Sequence, residues 1–512
     1  MPRENSLSFG EAPAKAQQRD AARRAFGALV ATSAVLLAIR LYAAGRVGFG
    51  DSEALYAAYA LHPQPAYLDH PGLVGVVART IGGGTAPSAE QAHTVTSVAA
   101  TLVPLALALA CRASGASWRR AFVAASVVAL VPEVSIGLFA MTPDLLIALA
   151  WTGAIACAAT GMLSSPGSVV AAFAFGAAGV LAGTAAASKA TGILLLVALG
   201  IAYATPACRP HGRTFVPWAG LAAGALAFAP ALLFEAHHGW PMVRHRLVDT
   251  QHSAGFSFRN AGALVGGQLV YLSPLVAAMA VRAGRDLWRE RTDAVGSLLF
   301  ACCVAPLAAL VPLCLWSRVA EPHWIAPALL ALAPAAARAR RGPSRRLVGA
   351  SCVLAASMTA AVYAWVLTPS LLRLAPRSYD AGLDLANELY GWPEVLRAVR
   401  EEAAGEWAPG SERGDVVVAG PHWVVCAQLD AALRGELPVG CDTPERDDFD
   451  DWWPRARWRR AEAVVWVSDA RFGPPPSLPA HAVVRMRDVR IFRAGRLVRV
   501  FAVAVLARRA AA

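Results

Sequence analysis

The sequence predicts a polytopic α-helical membrane protein with about 11 transmembrane helices and a small C-terminal extracytoplasmic α/β domain. Of its 512 residues, 56% are hydrophobic and 16% are charged, whereas soluble domains contain about 25% charged residues. Many apolar runs reach the length of about 20 residues that a helix needs to cross a bilayer. These properties exclude a disordered chain, a collagen and an ordinary water-soluble enzyme.

The apolar runs define a transmembrane domain at residues 25–369, which follows a cytoplasmic N-terminal segment at 1–24. The runs within 167–205 and 323–338 are the least regular, so the number of spans there stays open. In chain order, the predicted spans are 25–44, 91–111, 121–140, 144–163, 167–187, 190–205, 215–234, 262–283, 295–316, 323–338 and 347–367.

Positive charge predicts how the chain is threaded through the membrane. Lys and Arg are concentrated in the loops on the N-terminal side, which the positive-inside rule assigns to the cytoplasm. An odd number of spans then places residues 370–512 outside the cytoplasm. The predicted location of the protein is a bacterial inner (plasma) membrane. The net charge of +12 lies in the apolar part of the chain, where Arg in short loops sets the orientation in the membrane. Nucleic acid is therefore not an expected partner.

Residues 370–512 mix charges of both signs with Trp, Pro and Gly, and their helical and strand-like patterns predict an α/β domain. The predicted helices are 384–402 and 422–433. The predicted strands are 415–419, 437–440, 463–467, 482–486, 489–493 and 497–503, the last two forming a hairpin that turns at 494–495. Because the topology places Cys426 and Cys441 in an oxidising space, we expect a disulfide between them, with two free thiols as the alternative.

The first outer loop, 45–90, is the most informative part of the chain. It places Asp51, Glu53 and Asp69 at the boundary between water and lipid, beside tyrosines and a histidine. The alternative is a solvated loop whose acids do nothing, but three such acids together favour a functional site. The apolar segment 73–81 is too short to span and should lie in the membrane interface.

Two charged residues border nearly charge-free spans. Asp144 follows a proline between two spans, where it would cap a helix, belong to a site, or do both. Lys189 is one of two lysines in the chain, and a buried cation is costly unless it is paired. A phosphate is a plausible partner, and simple snorkelling to the interface is the alternative.

Later outer loops add Arg244 and Arg246, whose guanidinium groups suit phosphate oxygens, and then Glu321 and His323. All these polar residues are predicted on one side of the membrane. A transporter would carry its charged site near the midplane instead. The asymmetry therefore favours an enzyme that works at the interface.

Five motifs together resemble the GT-C membrane glycosyltransferases of family 39, which include protein O-mannosyltransferases and the bacterial aminoarabinose transferases that modify lipid A. The resemblance covers about residues 45–400, most of the chain. The motifs are DSE at 51–53 with Tyr56, YLDHP at 67–71, MTPD at 141–144, SKATG at 188–192, and EPHW at 321–324.

This resemblance implies a GT-C type fold and an inverting enzyme that takes a sugar from a polyprenyl-phosphate donor. It implies that Asp51 is the general base and that Glu53 is the second catalytic carboxylate. No cofactor is certain; a divalent metal, if one is used, would be held by Asp51 and Glu53. The expected substrate-binding residues are Tyr56, Tyr67, Asp69, His70, Asp144, Lys189, Arg244, Arg246, Glu321 and His323.

The expected partners are a polyprenyl-phosphate-linked sugar, a lipid, glycan or protein acceptor, and membrane lipids. Two other functions stay open. One is a transporter or flippase for a polyprenyl-linked substrate. The other is a membrane anchor for a binding domain, which would leave Asp51, Asp144 and Lys189 without a role.

Overall fold

The computed structural model describes residues 11–252, 254–405, 416–473, 478 and 480–509. Among these residues, seven helices are long and apolar enough to cross a membrane, or up to ten if each of three bent pairs is one span. The chain is therefore a multi-pass membrane protein. Every predicted span except 323–338 coincides with one of these helices or bent pairs.

The helices before the C-terminal domain are α1 (Glu11–Ala44), α2 (Asp51–Ala58), α3 (Leu73–Ile81), α4 (Ala89–Ala100), α5 (Leu102–Ala113), α6 (Trp118–Leu130), α7 (Pro132–Ser135), α8 (Pro143–Leu163), α9 (Val169–Ser188), α10 (Ile193–Ala204), α11 (Arg209–Gly212), α12 (Val216–His237), α13 (Pro241–Leu247), α14 (Phe258–Tyr271), α15 (Pro274–Glu290), α16 (Ala294–Trp316), α17 (Ala326–Leu329), α18 (Leu332–Arg338) and α19 (Arg345–Leu367). Short 3₁₀ helices lie at Gly137–Phe139, Ala190–Gly192, Pro206–Cys208, Asp249–Gln251 and Pro322–Ile325.

The three bent pairs break where a proline begins the second half. Prolines at 132, 206 and 274 follow bends of 73°, 73° and 105°, respectively, because proline cannot donate the backbone hydrogen bond that would continue a helix. At the first break, Arg40 of α1 donates to the backbone carbonyls of Val134 and Ser135. This explains a fully buried arginine inside a span, since a charge there needs polar partners.

The predicted span 323–338 is not one helix. It consists of the 3₁₀ helix Pro322–Ile325 followed by α17 and α18, so it is not among the span-length helices. Prolines within the segment interrupt it. Its last residue, Arg338, pairs with Asp293 at 2.7 Å, and Asp293 caps the start of α16. The segment therefore packs along α16 as three short helices and not as one continuous span.

Four glycines bring α9 and α12 into close contact. A Cβ atom at Gly179 would lie 1.7 Å from the carbonyl oxygen of Gly220, and one at Gly183 would lie 2.1 Å from that of Gly224. Each pair is spaced four residues apart on its helix. This is the small-xxx-small packing of membrane helices, in which van der Waals contact between backbones drives association.

The C-terminal domain contains a mixed sheet of five strands in the order β2-β1-β3-β5-β4, within the described residues. β1 pairs in parallel with β2 and β3, whereas β3–β5 and β4–β5 are antiparallel. Its elements are 3₁₀ helices Pro369–Leu374, Ala381–Leu383 and Leu385–Leu389, helices α20 (Trp392–Ala403), α21 (Trp423–Leu433), α22 (Phe449–Trp452) and α23 (Arg455–Trp458), and strands β1 (Val416–Gly420), β2 (Val439–Cys441), β3 (Ala463–Asp469), β4 (His481–Arg493) and β5 (Arg496–Arg508).

The sequence predicted this α/β fold and its terminal hairpin, but three details differ. The predicted helix 384–402 begins only at Trp392, because Gly391 adopts a left-handed conformation that ends the preceding turns. The segments 482–486 and 489–493 belong to one strand, β4. The expected disulfide is not formed: Cys426 and Cys441 are free, buried thiols that lie close to each other, and the Cys441 sulfur lies 3.0 Å from the Thr443 hydroxyl.

The first loop docks directly on the α/β domain. Asp448 accepts hydrogen bonds from the Tyr59 hydroxyl at 3.1 Å and from the Leu68 backbone N–H at 2.9 Å. His62 lies 2.9 Å from Asp430 and stacks on Trp452. The helix that begins at residue 51 is thus held from the domain side.

Stability should depend on pH through Asp448. Burial, and then the charge of Asp69, raise the pKa of Asp448 to about 8, whereas an unfolded Asp titrates near about 3.9. The folded state therefore binds the extra proton between these values, and stability should fall as pH rises from about 4 to about 8. Thermal unfolding of purified protein should show this fall, and Asp448→Asn should reduce it.

The matched control is Asp451→Asn, which changes an exposed carboxylate on α22, the short helix that Asp448 immediately precedes. It should keep the wild-type dependence on pH. An unchanged pH dependence in Asp448→Asn would contradict the assignment.

Candidate active site

Helix α2 carries Asp51 as its first residue and begins immediately after the first span. Its start is fixed by a capping interaction in which the Glu53 carboxylate accepts the Gly50 backbone N–H at 3.0 Å. The helix is buried almost throughout. Asp51 therefore occupies a defined position where the transmembrane bundle meets the α/β domain.

Glu53 is fully engaged by neighbouring groups. One of its oxygens lies 3.0 Å from His93 Nε2 and accepts the Met141 backbone N–H at 2.6 Å, while the other accepts from Gly50. Burial alone would raise the pKa of Glu53, but His93 and these N–H groups outweigh burial and lower it. The contacts fit a carboxylate that positions α2 against α4 and α8.

A metal ion held by Asp51 and Glu53 stays a prediction. Both oxygens of Glu53 already have hydrogen-bond partners, and in the described part of the chain no three His, Cys, Asp or Glu side chains form a group that could hold a metal ion. We expect Glu53→Gln to lower thermal stability by about 1–3 kcal/mol, because an NH₂ group would face N–H donors. Its kcat should fall much less than that of Asp51→Asn, and a chelator should leave the wild-type rate unchanged.

Exposed Glu90 provides the control, as Glu90→Gln should change neither stability nor rate. Calorimetry and rate measurements on the same preparations check both effects. A loss of rate on chelation that added Mg²⁺ or Mn²⁺ restores would contradict the positioning role.

Asp51 faces the α/β domain. Its Oδ2 accepts a hydrogen bond from Arg471 at 3.1 Å, and its Oδ1 is buried without a hydrogen-bond partner among the residues described. Burial raises the pKa of Asp51, and the positive charges of Arg471 and Arg499 offset this only in part. An acceptor-only oxygen of raised basicity is what a general base requires.

A second group of polar residues lies around Tyr56 of the same helix. The Tyr56 hydroxyl lies 2.9 Å from His70 Nε2, and Arg246 pairs with Asp69 at 2.8 Å. Burial, followed by the nearby charges of Arg246 and Lys189, lowers the pKa of His70 well below its usual value. His70 is therefore neutral, and its Nδ1 is buried with no hydrogen-bond partner in the described ranges.

Lys189 completes this group. Its ammonium lies 2.7 Å from Asp144 and 3.5 Å from His323 Nε2, and His323 Nδ1 lies 3.2 Å from Glu321. Both Lys189 and Arg246 lie about 6 Å from the ring of Trp324. We call this set the polar cluster; it comprises Tyr56, Asp69, His70, Asp144, Lys189, His245, Arg246, Glu321 and His323.

The structure thus brings together most of the predicted substrate-binding residues, but it separates two from them. The Arg244 side chain is 73% exposed and lies 3.6 Å from Asp249. Tyr67 stacks on Tyr59, and its hydroxyl bonds the backbone of the loop, which is a structural role. Asp51 is also outside this cluster, since its hydrogen bond is to Arg471 of the α/β domain.

Three residues of the site had no assigned role at the sequence level. His93 holds Glu53, His245 lies 3.6 Å from Asp69, and Arg471 holds Asp51. His245 stands between two arginines that were singled out, so its position was a usable signal. His93 and Arg471 carry no local signal, because their contacts depend on the tertiary fold.

A largely apolar cavity of about 480 Å³ opens beside the polar cluster. Glu133 and Asp144 line one end, and Arg119, Arg120 and Arg345 line the other, with valine, leucine and alanine side chains between them. Because Arg119 lies in the first turn of α6 and Glu133 follows its end, the cavity extends along the whole helix. Glu133 therefore faces this cavity.

Comparison with known proteins shows the fold. No protein-family model and no curated protein sequence matches the chain. The crystal structure of ArnT from Cupriavidus metallidurans in the apo state is similar, with a TM-score of 0.61 and 16% identity over 93% of this chain and 98% of that chain. The same protein bound to undecaprenyl phosphate gives a TM-score of 0.58, with the same identity and coverage.

A more distant similarity is to the oligosaccharyltransferase AglB from Archaeoglobus fulgidus, with a TM-score of 0.52 and 12% identity over 86% of this chain and 69% of that chain. The protein O-mannosyltransferase complex Pmt1–Pmt2 of S. cerevisiae also matches, but over only 34% of that chain and with a TM-score of 0.35. The chain therefore has the fold of the GT-C glycosyltransferases, as the resemblance in its motifs predicts.

Proposed function

We propose that the chain is an inverting glycosyltransferase. It moves a sugar from a polyprenyl-phosphate donor to a hydroxyl of an envelope glycan, lipid or protein at the outer face of a bacterial inner membrane. The observation that carries the proposal is helix α2, which joins two functional groups. Asp51 with one unpartnered oxygen begins the helix, and Tyr56 of the polar cluster lies about 7–8 Å further along its axis.

The polar cluster suits a phosphate. Lys189 and Arg246 are cations held close to Trp324, each by one carboxylate. Charge-assisted hydrogen bonds from such groups would stabilise the negative charge that develops on the leaving phosphate. Neutral His70 would add a donor, since Nε2 can accept from Tyr56 while Nδ1–H, which has no partner among the described residues, would donate to the phosphate.

Asp51 would act on the acceptor. The acceptor oxygen forms a bond to the anomeric carbon, the bond between that carbon and the phosphate oxygen breaks, and the hydroxyl proton passes to Asp51 Oδ1. Polyprenyl phosphate leaves with the electron pair of the broken bond. Attack from the face opposite the phosphate inverts the anomeric centre. General base catalysis of this kind contributes about 10²–10⁴-fold.

The apolar cavity fits the lipid part of such a substrate. A prenyl chain would lie along α6, with its phosphate at the end lined by Asp144. The complex of the similarly folded ArnT with undecaprenyl phosphate supports this class of donor.

Transfer and transport can be distinguished in proteoliposomes that contain a radiolabelled polyprenyl-phosphate sugar. The proposal predicts a labelled acceptor of increased mass and release of polyprenyl phosphate. Movement of intact donor across the bilayer without any product would favour the transporter or flippase instead. Binding without either outcome would favour a membrane-anchored binding protein.

A further inference from the structure

The α/β domain places a charged side chain on the candidate base. Arg471 follows strand β3, and its guanidinium donates to Asp51 Oδ2 at 3.1 Å across 420 positions of sequence. The transmembrane part and the domain therefore meet in an ion pair at the first residue of α2. This contact is not part of the polar cluster.

Arg471 is itself held in place from behind. Its Nε and a terminal nitrogen donate to Asp469 at 2.9 and 2.7 Å. Asp469 is the last residue of β3, is almost fully buried, and also accepts from Arg499 at 2.8 Å. Arg499 lies over the rings of Trp392 and Phe501. The Arg471 side chain is 36% exposed, and its guanidinium is oriented by these contacts with Asp469.

We propose that Arg471 is the positioning residue of Asp51, so that the α/β domain completes the active centre. Its guanidinium fixes one oxygen of the carboxylate, and the buried Oδ1, which has no hydrogen-bond partner among the described residues, is the one that would take the acceptor proton. The domain would then be required for the rate of transfer and not only for acceptor capture. This inference rests on the proposed function, because it assigns Arg471 a role that depends on Asp51 being the general base.

The charged and polar groups that face Asp51 come from several elements. Arg471 and Arg499 lie on the side of the sheet, the Gln428 amide comes from α21, and Glu388 lies 3.9 Å from Arg471. Burial and the charge of Asp51 raise the pKa of Glu388. Loss of Arg471 would remove the main cation that favours the ionised form of Asp51 and would leave Glu388 opposing it.

The test compares Arg471→Gln, Arg471→Lys and the control Arg400→Gln, which removes an exposed pair with Glu436. We expect Arg471→Gln to lower kcat about tenfold at neutral pH and to move the acid limb of the pH profile up by about one unit. The KM for the donor should stay within about twofold of wild type, since the phosphate is bound elsewhere. Arg471→Lys should recover part of the rate, and Arg400→Gln should match wild type.

Labelling of Asp51 by a carbodiimide, which reacts with protonated carboxyl groups, gives a readout without turnover. Mass spectrometry of the peptide should show that Arg471→Gln is labelled up to higher pH than wild type. An equal loss of kcat at every pH, with unchanged labelling, would overturn the positioning role even if Asp51→Asn is inactive. If Asp51→Asn keeps full activity while the labelling shifts, the base assignment fails and the ion pair stands as an electrostatic contact only.

Discussion

Replacing Asp51 with Asn should lower the rate of sugar transfer by about 10²–10⁴-fold, the usual contribution of a general base. The substitution keeps the size of the side chain and an oxygen that can still accept from Arg471. It removes the basic oxygen that, under the proposed function, takes the proton from the acceptor hydroxyl. Initial rates with a polyprenyl-phosphate sugar in proteoliposomes measure the effect.

Two controls separate this effect from misfolding. Asp488→Asn changes an exposed carboxylate on strand β4 of the α/β domain and should keep the wild-type rate. Donor binding to Asp51→Asn should also stay close to wild type, because the polar cluster is intact. Full transfer activity in Asp51→Asn would remove Asp51 from the mechanism.

The second large effect is expected at Arg246. Arg246→Ala should raise the Kd for the donor phosphate about 10–100-fold, which corresponds to one charge-assisted hydrogen bond of about 1.5–3 kcal/mol. Its side chain is 25% exposed, pairs with Asp69 and approaches Trp324. The change in Kd can be measured directly with a non-hydrolysable donor analogue, by calorimetry or by competition.

Arg244→Ala is the matched control for this prediction. Arg244 lies on the same helix, α13, two residues earlier, but it is directed to solvent and to Asp249. An exposed pair of this kind contributes little, so donor affinity should change less than about twofold. Equal losses from both substitutions would contradict the placement of the phosphate.

The comparison of these two arginines shows where sequence reasoning reaches its limit. Both suit a phosphate by residue type, and both were predicted to bind it. Positions two apart on a helix point about 200° apart, so only one of them can face a site on one side of α13. Which one does so depends on how α13 packs against the first loop, and residue type carries no information on that packing.

More of the fold than of the candidate site could be predicted from the sequence. Long apolar runs directly indicate helices that span the membrane. The strand-like runs on either side of residues 494–495 predicted the hairpin that turns there. The broken segment 323–338 was harder, since its composition is apolar while its prolines decide its shape. The contacts of Glu53 with His93, and of Asp51 with Arg471, join distant parts of the chain and leave no periodic signal.

The most direct test of the account measures products of a defined reaction by mass spectrometry. Purified protein would be incubated with polyprenyl-phosphate sugars and an extract of bacterial envelope lipids, glycans and proteins, in parallel with Asp51→Asn. The account predicts equimolar polyprenyl phosphate and one acceptor species heavier by a single glycosyl residue of inverted configuration, formed by wild type and absent with the variant. Unchanged donor and acceptor masses for every donor tried, or equal product from both proteins, would contradict it.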